Sequence, residues 1–141
     1  PEKGRWQNLG IINGNRLIND SYNANPQSVK AAIDVLASYS GTTTLVLGDM
    51  AELGDDAIKF HQQVGEFAKN NNITHLLTVG EYSKHASQAF SGNGKHFQNI
   101  ESLKKVMLKE WAQYGSILVK GSRSMHLEYL INGLLEQEKL A

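Results

Sequence analysis

Two different spacings of apolar residues along the chain predict strands and helices in alternation. Short aliphatic and β-branched runs predict strands, whereas apolar residues three and four positions apart predict helices. The predicted strands cover residues 6–12, 16–18, 43–47, 76–79, 95–97 and 116–120. The predicted helices cover residues 26–39, 56–70, 82–90, 100–114 and 125–137.

The order of these elements predicts an α/β fold. Strands that alternate with helices of this length form a mostly parallel sheet with helices on both faces. The first two strands instead flank Asn13-Gly14, a dipeptide that readily takes positive φ and so predicts an antiparallel hairpin. No repeat or linker divides the chain. Residues 1–141 are therefore predicted to form one Rossmann-like, doubly wound domain with an N-terminal hairpin.

Three polar segments follow predicted strands and carry the candidate chemistry. They are residues 19–26, residues 48–54 and residues 120–124. In an open α/β sheet the carboxyl ends of parallel strands lie at one edge, and ligands bind in the crevice there. We expect the three segments to converge on one cleft. The alternative is that each is an ordinary solvated loop with helix-capping residues.

The second and third segments have opposite charge. Asp49 and Glu52 make the second segment acidic, and it lacks the lysine and hydroxyl of a Walker loop, so it favours an ammonium group over a phosphate. The third segment carries Lys120, Ser122 and Arg123 at a predicted helix start, which favours a carboxylate or a phosphate. Together the two segments suit a zwitterion, such as an amino acid or a short peptide.

Composition narrows the classes of partner. Lysine plus arginine equals aspartate plus glutamate at 14 each, so no overall charge attracts nucleic acid or a membrane surface. There is no cysteine, which fits a reducing compartment, and no apolar run approaches the ~20 residues of a membrane span, so we expect a cytoplasmic protein. We also expect a monomer. The five histidines show no close ligand pairing, and no metal site is predicted. Because the chain begins at Pro1 without methionine, we expect either a piece of a longer protein or a chain that has been processed.

Three motifs in order resemble the C-terminal domain of the Mur ligase family over essentially the whole chain. They are NDSYNANP at 19–26, LVLGDMAELG at 45–54 followed by His61, and ILVKGSRSM at 117–125. The resemblance implies the third domain of a three-domain, ATP-dependent ligase that adds D-alanyl-D-alanine to UDP-N-acetylmuramoyl-tripeptide through an acyl phosphate, in peptidoglycan synthesis. ATP and Mg²⁺ would be bound mainly by the central domain, which has no counterpart here, so the isolated domain is expected to be inactive.

The resemblance also implies roles for individual residues. The predicted nucleotide-binding residues are Arg5, Asp20, Tyr22, Asn23 and Asn25. The predicted substrate-binding residues are Asp49, Glu52, Lys120, Ser122 and Arg123, of which Asp49 would orient the attacking amine. Two alternatives remain open at this point: a free-standing module that binds amino acids or nucleotides, and the same domain of another Mur or folylpolyglutamate-type ligase.

Overall fold

A six-stranded sheet forms the centre of the computed structural model, which describes residues 2–140, with side chains to residue 136. The strands are β1 (Gln7–Ile12), β2 (Asn15–Asp20), β3 (Thr43–Leu47), β4 (His75–Val79), β5 (Gly94–Phe97) and β6 (Ser116–Lys120). The helices are α1 (Pro26–Ala37), α2 (Ala57–Asn70), α3 (Lys84–Phe90), α4 (Ile100–Lys109) and α5 (Glu128–Leu140). Pro1 and Ala141, the ends of the predicted domain, lie outside the described residues.

The strand order is β1-β2-β6-β3-β4-β5. Only the β1–β2 pair is antiparallel, and all other neighbouring strands are parallel. The prediction of a mostly parallel α/β sheet with an N-terminal hairpin is confirmed. Because β2 pairs directly with β6, the hairpin extends the parallel sheet, and the carboxyl end of β2 joins the same edge as those of β3, β4 and β6.

Local sequence explains the first turn and the first helix. Asn13 and Gly14 both take positive φ, 51° and 86°, as the tight hairpin turn requires. At the start of α1 the Asn25 side chain accepts a hydrogen bond from the Ser28 amide, and the Ser28 hydroxyl accepts one from the Asn25 amide. This reciprocal cap with Pro26 in the first turn fixes where α1 begins, directly after the first polar segment.

Alternate strand residues point into two separate cores. Leu45 and Leu47 of β3 pack among α1, α2 and α3, whereas Val46 between them packs among α4 and α5. Both faces of the sheet are therefore covered, and this two-sided burial explains the nearly continuous apolar runs of the central strands. Within the described residues, no helix combines the length and the apolar character that a bilayer span requires.

Several helix ends differ from the positions that the apolar pattern predicts: α1, α3 and α4 are shorter than predicted, whereas α5 keeps its 13 residues but lies three positions later. α3 begins at Lys84, two residues later than predicted, and α4 ends at Lys109 before a 3-10 turn at Trp111–Gln113. α5 begins at Glu128 because His126 adopts a left-handed φ of 53°, which an α-helix cannot include. The differences occur at ends, where capping geometry decides the boundary.

Candidate functional site

The three polar segments meet at the carboxyl edge of the sheet, as the sequence predicts. Asp20 lies opposite Lys120 across the β2–β6 pair, and Leu47 lies opposite Lys120 across the β3–β6 pair. Beyond the strands the backbone pairing continues, because the Gly48 amide donates to the Lys120 carbonyl at 2.9 Å. The Ser122 amide likewise donates to the Asp49 carbonyl at 2.9 Å. The second and third segments thus share one continuous wall.

Lys120 and Asp20 form a nearly buried ion pair in this edge. Lys120 Nζ lies 2.9 Å from Asp20 Oδ2 and donates a second hydrogen bond, of 3.0 Å, to the Asn23 carbonyl. Asp20 Oδ1 also accepts from the Trp6 amide at 3.0 Å. The sequence grouped Lys120 with Ser122 and Arg123 as a residue that binds an anionic ligand. In the structure the ammonium group of Lys120 is instead bonded to Asp20 and Asn23. Lys120 orients the carboxylate of Asp20.

The five residues predicted for the nucleotide line one small cleft of about 240 Å³. Ser28 and Lys120 complete its lining. The cleft is lined by a carboxylate side chain, amide side chains, a tyrosine and an arginine, whose polar groups can hydrogen-bond sugar hydroxyls and phosphates. The structure brings these predicted residues together, although the Asn25 side chain is already engaged in capping α1.

An exposed aromatic side chain connects the arginines at 5 and 123. The guanidinium carbon of Arg5 lies 4.0 Å from the centre of the Tyr22 ring, and that of Arg123 lies 4.9 Å from it. Interaction with Arg5, followed by the positive charge of Arg123, lowers the pKa of the Tyr22 hydroxyl. Two guanidinium groups beside one ring make this part of the edge favourable for an anion.

A second cleft, of about 350 Å³, lies along the acidic segment. Asp49, Glu52 and Ser122 line it, together with Tyr82 from the loop after β4. We call this the acidic cleft. Arg123 lies instead in an adjoining cleft with Tyr22, Ser124 and His126, so the structure does not bring it into the same cleft as Ser122. Ser124 lines both of these clefts.

The Asp49 carboxylate is held by the loop that follows β4. It accepts hydrogen bonds from the backbone amides of Glu81, Tyr82 and Ser83, at 2.9, 3.0 and 2.8 Å. Neither this loop nor Tyr82 was among the predicted site residues. The sequence indicated only that this loop lies at the same edge of the sheet, because the carboxyl ends of parallel strands share one edge. The strand order, which makes β4 the direct neighbour of β3, brings the loop to Asp49. Asp49 therefore has a clear structural role, and its orientation of an amine stays a prediction.

The described residues contain no cluster of three or more histidine or acidic side chains that could hold a metal ion.

Comparisons with known proteins agree on one family. A family model described as "Mur ligase, glutamate ligase domain" matches residues 4–123. The UDP-N-acetylmuramoyl-tripeptide–D-alanyl-D-alanine ligase of Escherichia coli K12 is 43% identical over 136 residues, which are 94% of this chain and 30% of that protein. The corresponding ligase of Buchnera aphidicola (Acyrthosiphon pisum) is 41% identical over 127 residues, or 87% of this chain and 27% of that protein.

Solved structures resemble the chain over nearly its whole length. A crystal structure of MurF from Acinetobacter baumannii superposes with a TM-score of 0.81 at 31% identity and covers 96% of this chain and 30% of that one. MurF from Thermotoga maritima in complex with ADP superposes with a TM-score of 0.81 over 99% of this chain and 32% of that one, at 20% identity, and supports the fold alone. The chain spans about 30% of the length of the E. coli relative.

Proposed function

Because the chain belongs to the Mur ligase family, we propose that it is the C-terminal, substrate-binding domain of an ATP-dependent ligase that joins D-alanyl-D-alanine to UDP-N-acetylmuramoyl-tripeptide. In this proposal the chain is one of three domains, and the complete protein works as a cytoplasmic monomer in peptidoglycan synthesis. The reaction it takes part in needs three substrates at one place. We assign the binding of two of them to residues at the carboxyl edge of the sheet.

The observation that carries the proposal is the position of two clefts on either side of β6. The cleft of Asp20 has the groups that recognise a nucleotide, and the acidic cleft of Asp49 and Glu52 has the negative charge that attracts an ammonium group. An ATP-dependent amide ligase must hold a phosphoryl donor and an amine close to the same carboxylate. The cleft of Arg123 shares Tyr22 with the first of these clefts and Ser124 with the second, and this continuity along one edge supports such an arrangement.

On the nucleotide side we assign Asp20 to the ribose and Arg5 to the phosphates. Asp20 accepts one hydrogen bond on each oxygen from within the fold, and a carboxylate has lone pairs left for ribose hydroxyls. Arg5 is exposed and fixed in charge, so it can follow the phosphates as negative charge develops during transfer. Tyr22, Asn23 and Asn25 complete the wall, and Lys120 keeps Asp20 in place.

On the substrate side we assign the acidic cleft to the amino end of the dipeptide. Asp49 and Glu52 would attract the ammonium group, and Asp49 would orient the amine as it loses a proton before attack. Ser122 is buried in the wall, with its hydroxyl 2.9 Å from that of Ser124. Arg123 is the next residue and is exposed, so we assign it to the dipeptide carboxylate together with Ser122.

The proposed reaction has two transfers. The γ-phosphoryl group of ATP passes to the carboxylate of the tripeptide, which gives an acyl phosphate and ADP. The neutral amine of the dipeptide then attacks the acyl carbon, and inorganic phosphate leaves as the amide forms. Mg²⁺, held mainly by the remaining domains, would neutralise phosphate charge. This chain contributes proximity and orientation, so alone it should not turn over.

Two substitutions in the complete protein test these assignments. We expect Arg123→Ala to raise the KM for D-alanyl-D-alanine and Asp49→Asn to lower turnover with that substrate. Lys59→Ala, at an exposed position of α2 that lines neither cleft, is the control and should leave both constants unchanged. If Arg123→Ala and Asp49→Asn both behave like the control, the substrate assignments are refuted.

The separated chain provides a second test. Calorimetry of residues 1–141 should detect at most weak binding of ATP or D-alanyl-D-alanine, because each cleft lacks the walls that the other domains supply. Micromolar affinity for either ligand would contradict this expectation and favour a free-standing binding module.

A further inference from the structure

His61 is fully buried in α2, directly behind the acidic segment. Its Nε2 accepts a hydrogen bond of 3.0 Å from the Met50 amide, and its Nδ1 lies 2.7 Å from the Ala57 carbonyl oxygen. An amide can only donate and a carbonyl can only accept, so the ring must be neutral with its proton on Nδ1. Burial also lowers the pKa of His61, which favours the same neutral form.

Both partners of His61 belong to the wall of the acidic cleft, whereas His61 itself does not line it. Met50 lies near the start of the segment and Ala57 begins α2 just after its end. Between them Glu52 adopts a left-handed φ of 60°, a conformation that is uncommon for a residue other than glycine and needs support from surrounding contacts. A single imidazole therefore joins the two ends of the segment that carries Glu52.

The other contacts of the acidic segment support Asp49 at its start, whereas His61 contacts Met50 and Ala57 on either side of Glu52. The Asp49 carboxylate accepts from the loop after β4, and the Asp49 carbonyl accepts from the Ser122 amide. These bonds fix Asp49 from the side of the neighbouring loops. The Tyr82 ring, which also lines the cleft, lies with its centre 5.9 Å from that of His61. His61 therefore supports the acidic segment from the core side, and Asp49 supports it from the side of the neighbouring loop.

We propose that His61 is a positioning residue that holds residues 50–57 in the shape that binds the amine-bearing substrate. This inference rests on the proposed function of the acidic cleft. The nucleotide cleft has no lining residue in common with the acidic cleft, so a change at His61 should affect one substrate and spare the other.

Replacing His61 with glutamine or with asparagine tests whether the hydrogen bond to Met50, rather than the histidine ring itself, is what matters. Glutamine places an acceptor oxygen near the position of Nε2, whereas asparagine is too short to reach Met50 and can replace only the bond to Ala57. In the complete protein we expect His61→Asn to raise the KM for D-alanyl-D-alanine about tenfold and to leave the KM for ATP within about twofold. His61→Gln should stay within about threefold of the parent protein for both substrates. His75→Asn, at the first residue of β4 and so at the opposite edge of the sheet from both clefts, is the matched control and should leave both KM values unchanged.

Equal effects of the asparagine and glutamine variants on the dipeptide KM would overturn the proposal. So would an equal rise of both KM values in the asparagine variant, since a general loss of stability would produce it.

A structural measurement separates this inference from the proposed function. In the 141-residue chain, nitrogen NMR should show the His61 proton on Nδ1, and amide exchange at residues 50–54 should accelerate in His61→Asn but not in His61→Gln. A proton on Nε2, or exchange unaffected by either variant, would refute the positioning role. If the complete protein forms no amide while this NMR result holds, the proposed ligase function fails and the positioning of the segment stands.

Discussion

Replacing Lys120 with methionine should destabilise the domain by about 3 kcal/mol, because it leaves one partner of a nearly buried ion pair without the other. The side chains of Lys120 and Asp20 are 5% and 16% exposed. Breaking a buried pair costs about 3–5 kcal/mol, and the partial exposure of Asp20 places the expected value at the lower end. Methionine retains the apolar stem of lysine, so the change reports mainly on the charge and its two hydrogen bonds.

The companion variants test whether the pair acts as a unit. We expect Asp20→Asn to cost about 2 kcal/mol, because asparagine keeps an acceptor for Lys120. The double variant should cost about 2 kcal/mol less than the sum of the two single variants. Free energies of unfolding come from urea titrations of the 141-residue chain followed by tryptophan fluorescence and circular dichroism. Lys95→Met, which removes a surface ion pair with Glu110, should cost no more than about 0.5 kcal/mol.

Two outcomes would refute this reasoning. A cost below about 1 kcal/mol for Lys120→Met would mean that solvent replaces the lysine as the partner of Asp20. Strictly additive costs in the double variant would mean that the two side chains contribute independently, and that Lys120 does not position Asp20 for a nucleotide.

Three further predictions concern stability. Gly65→Ala should lower the free energy of unfolding in urea by at least about 2 kcal/mol, because the added methyl would lie 2.1 Å from the Ala86 carbonyl oxygen and force α2 and α3 apart. Glu66→Ala, at an exposed position, is the control and should be nearly neutral. Asp49→Asn should cost about 2 kcal/mol, since the new amide group cannot accept from all three backbone donors, and a cost near zero would contradict the hydrogen bonds described. Burial lowers the pKa of three histidines below the usual 6.5: His61, His75 and His96. Below pH 6.5 these histidines take up protons readily only in the unfolded chain, so the free energy of unfolding should fall there, by up to about 1.4 kcal/mol per pH unit for each histidine. Above pH 6.5 they should not affect it. Equal free energies of unfolding at pH 7.5 and pH 5.5 would contradict this prediction.

The sheet and its edge could be predicted because two simple signals agree. β-branched runs such as Thr43–Leu47 alternate with helical spacing, and in parallel sheets this alternation places all carboxyl-end loops together. The turn at Asn13-Gly14 and the cap at Asn25 depend only on neighbouring residues, so the local sequence predicts both. Fold class and the convergence of the polar segments follow from such local and topological rules.

Pairings between distant segments could not be predicted in the same way. Lys120 and Asp20 are 100 residues apart, and their contact depends on β2 inserting beside β6, a strand order that periodicity does not specify. The hydrogen bonds of Asp49 to residues 81–83 depend equally on the neighbour of β3. Local charge and the family resemblance therefore assigned Lys120 and Asp49 to a ligand, whereas the structure shows that both are also bonded within the fold.

If this chain supplies the substrate clefts of a ligase specific for D-alanyl-D-alanine, as we propose, sustained ADP formation by the complete protein should depend on that dipeptide. The most direct measurement is ADP formation by the complete protein with ATP, Mg²⁺ and UDP-N-acetylmuramoyl-tripeptide, with and without the dipeptide. We expect sustained formation of ADP and the pentapeptide product in equal amounts when D-alanyl-D-alanine is present, and at most about one ADP per enzyme molecule without it, because the acyl phosphate forms before the amine attacks. Sustained ADP formation without the dipeptide, or turnover supported equally well by glutamate, would contradict the proposed function.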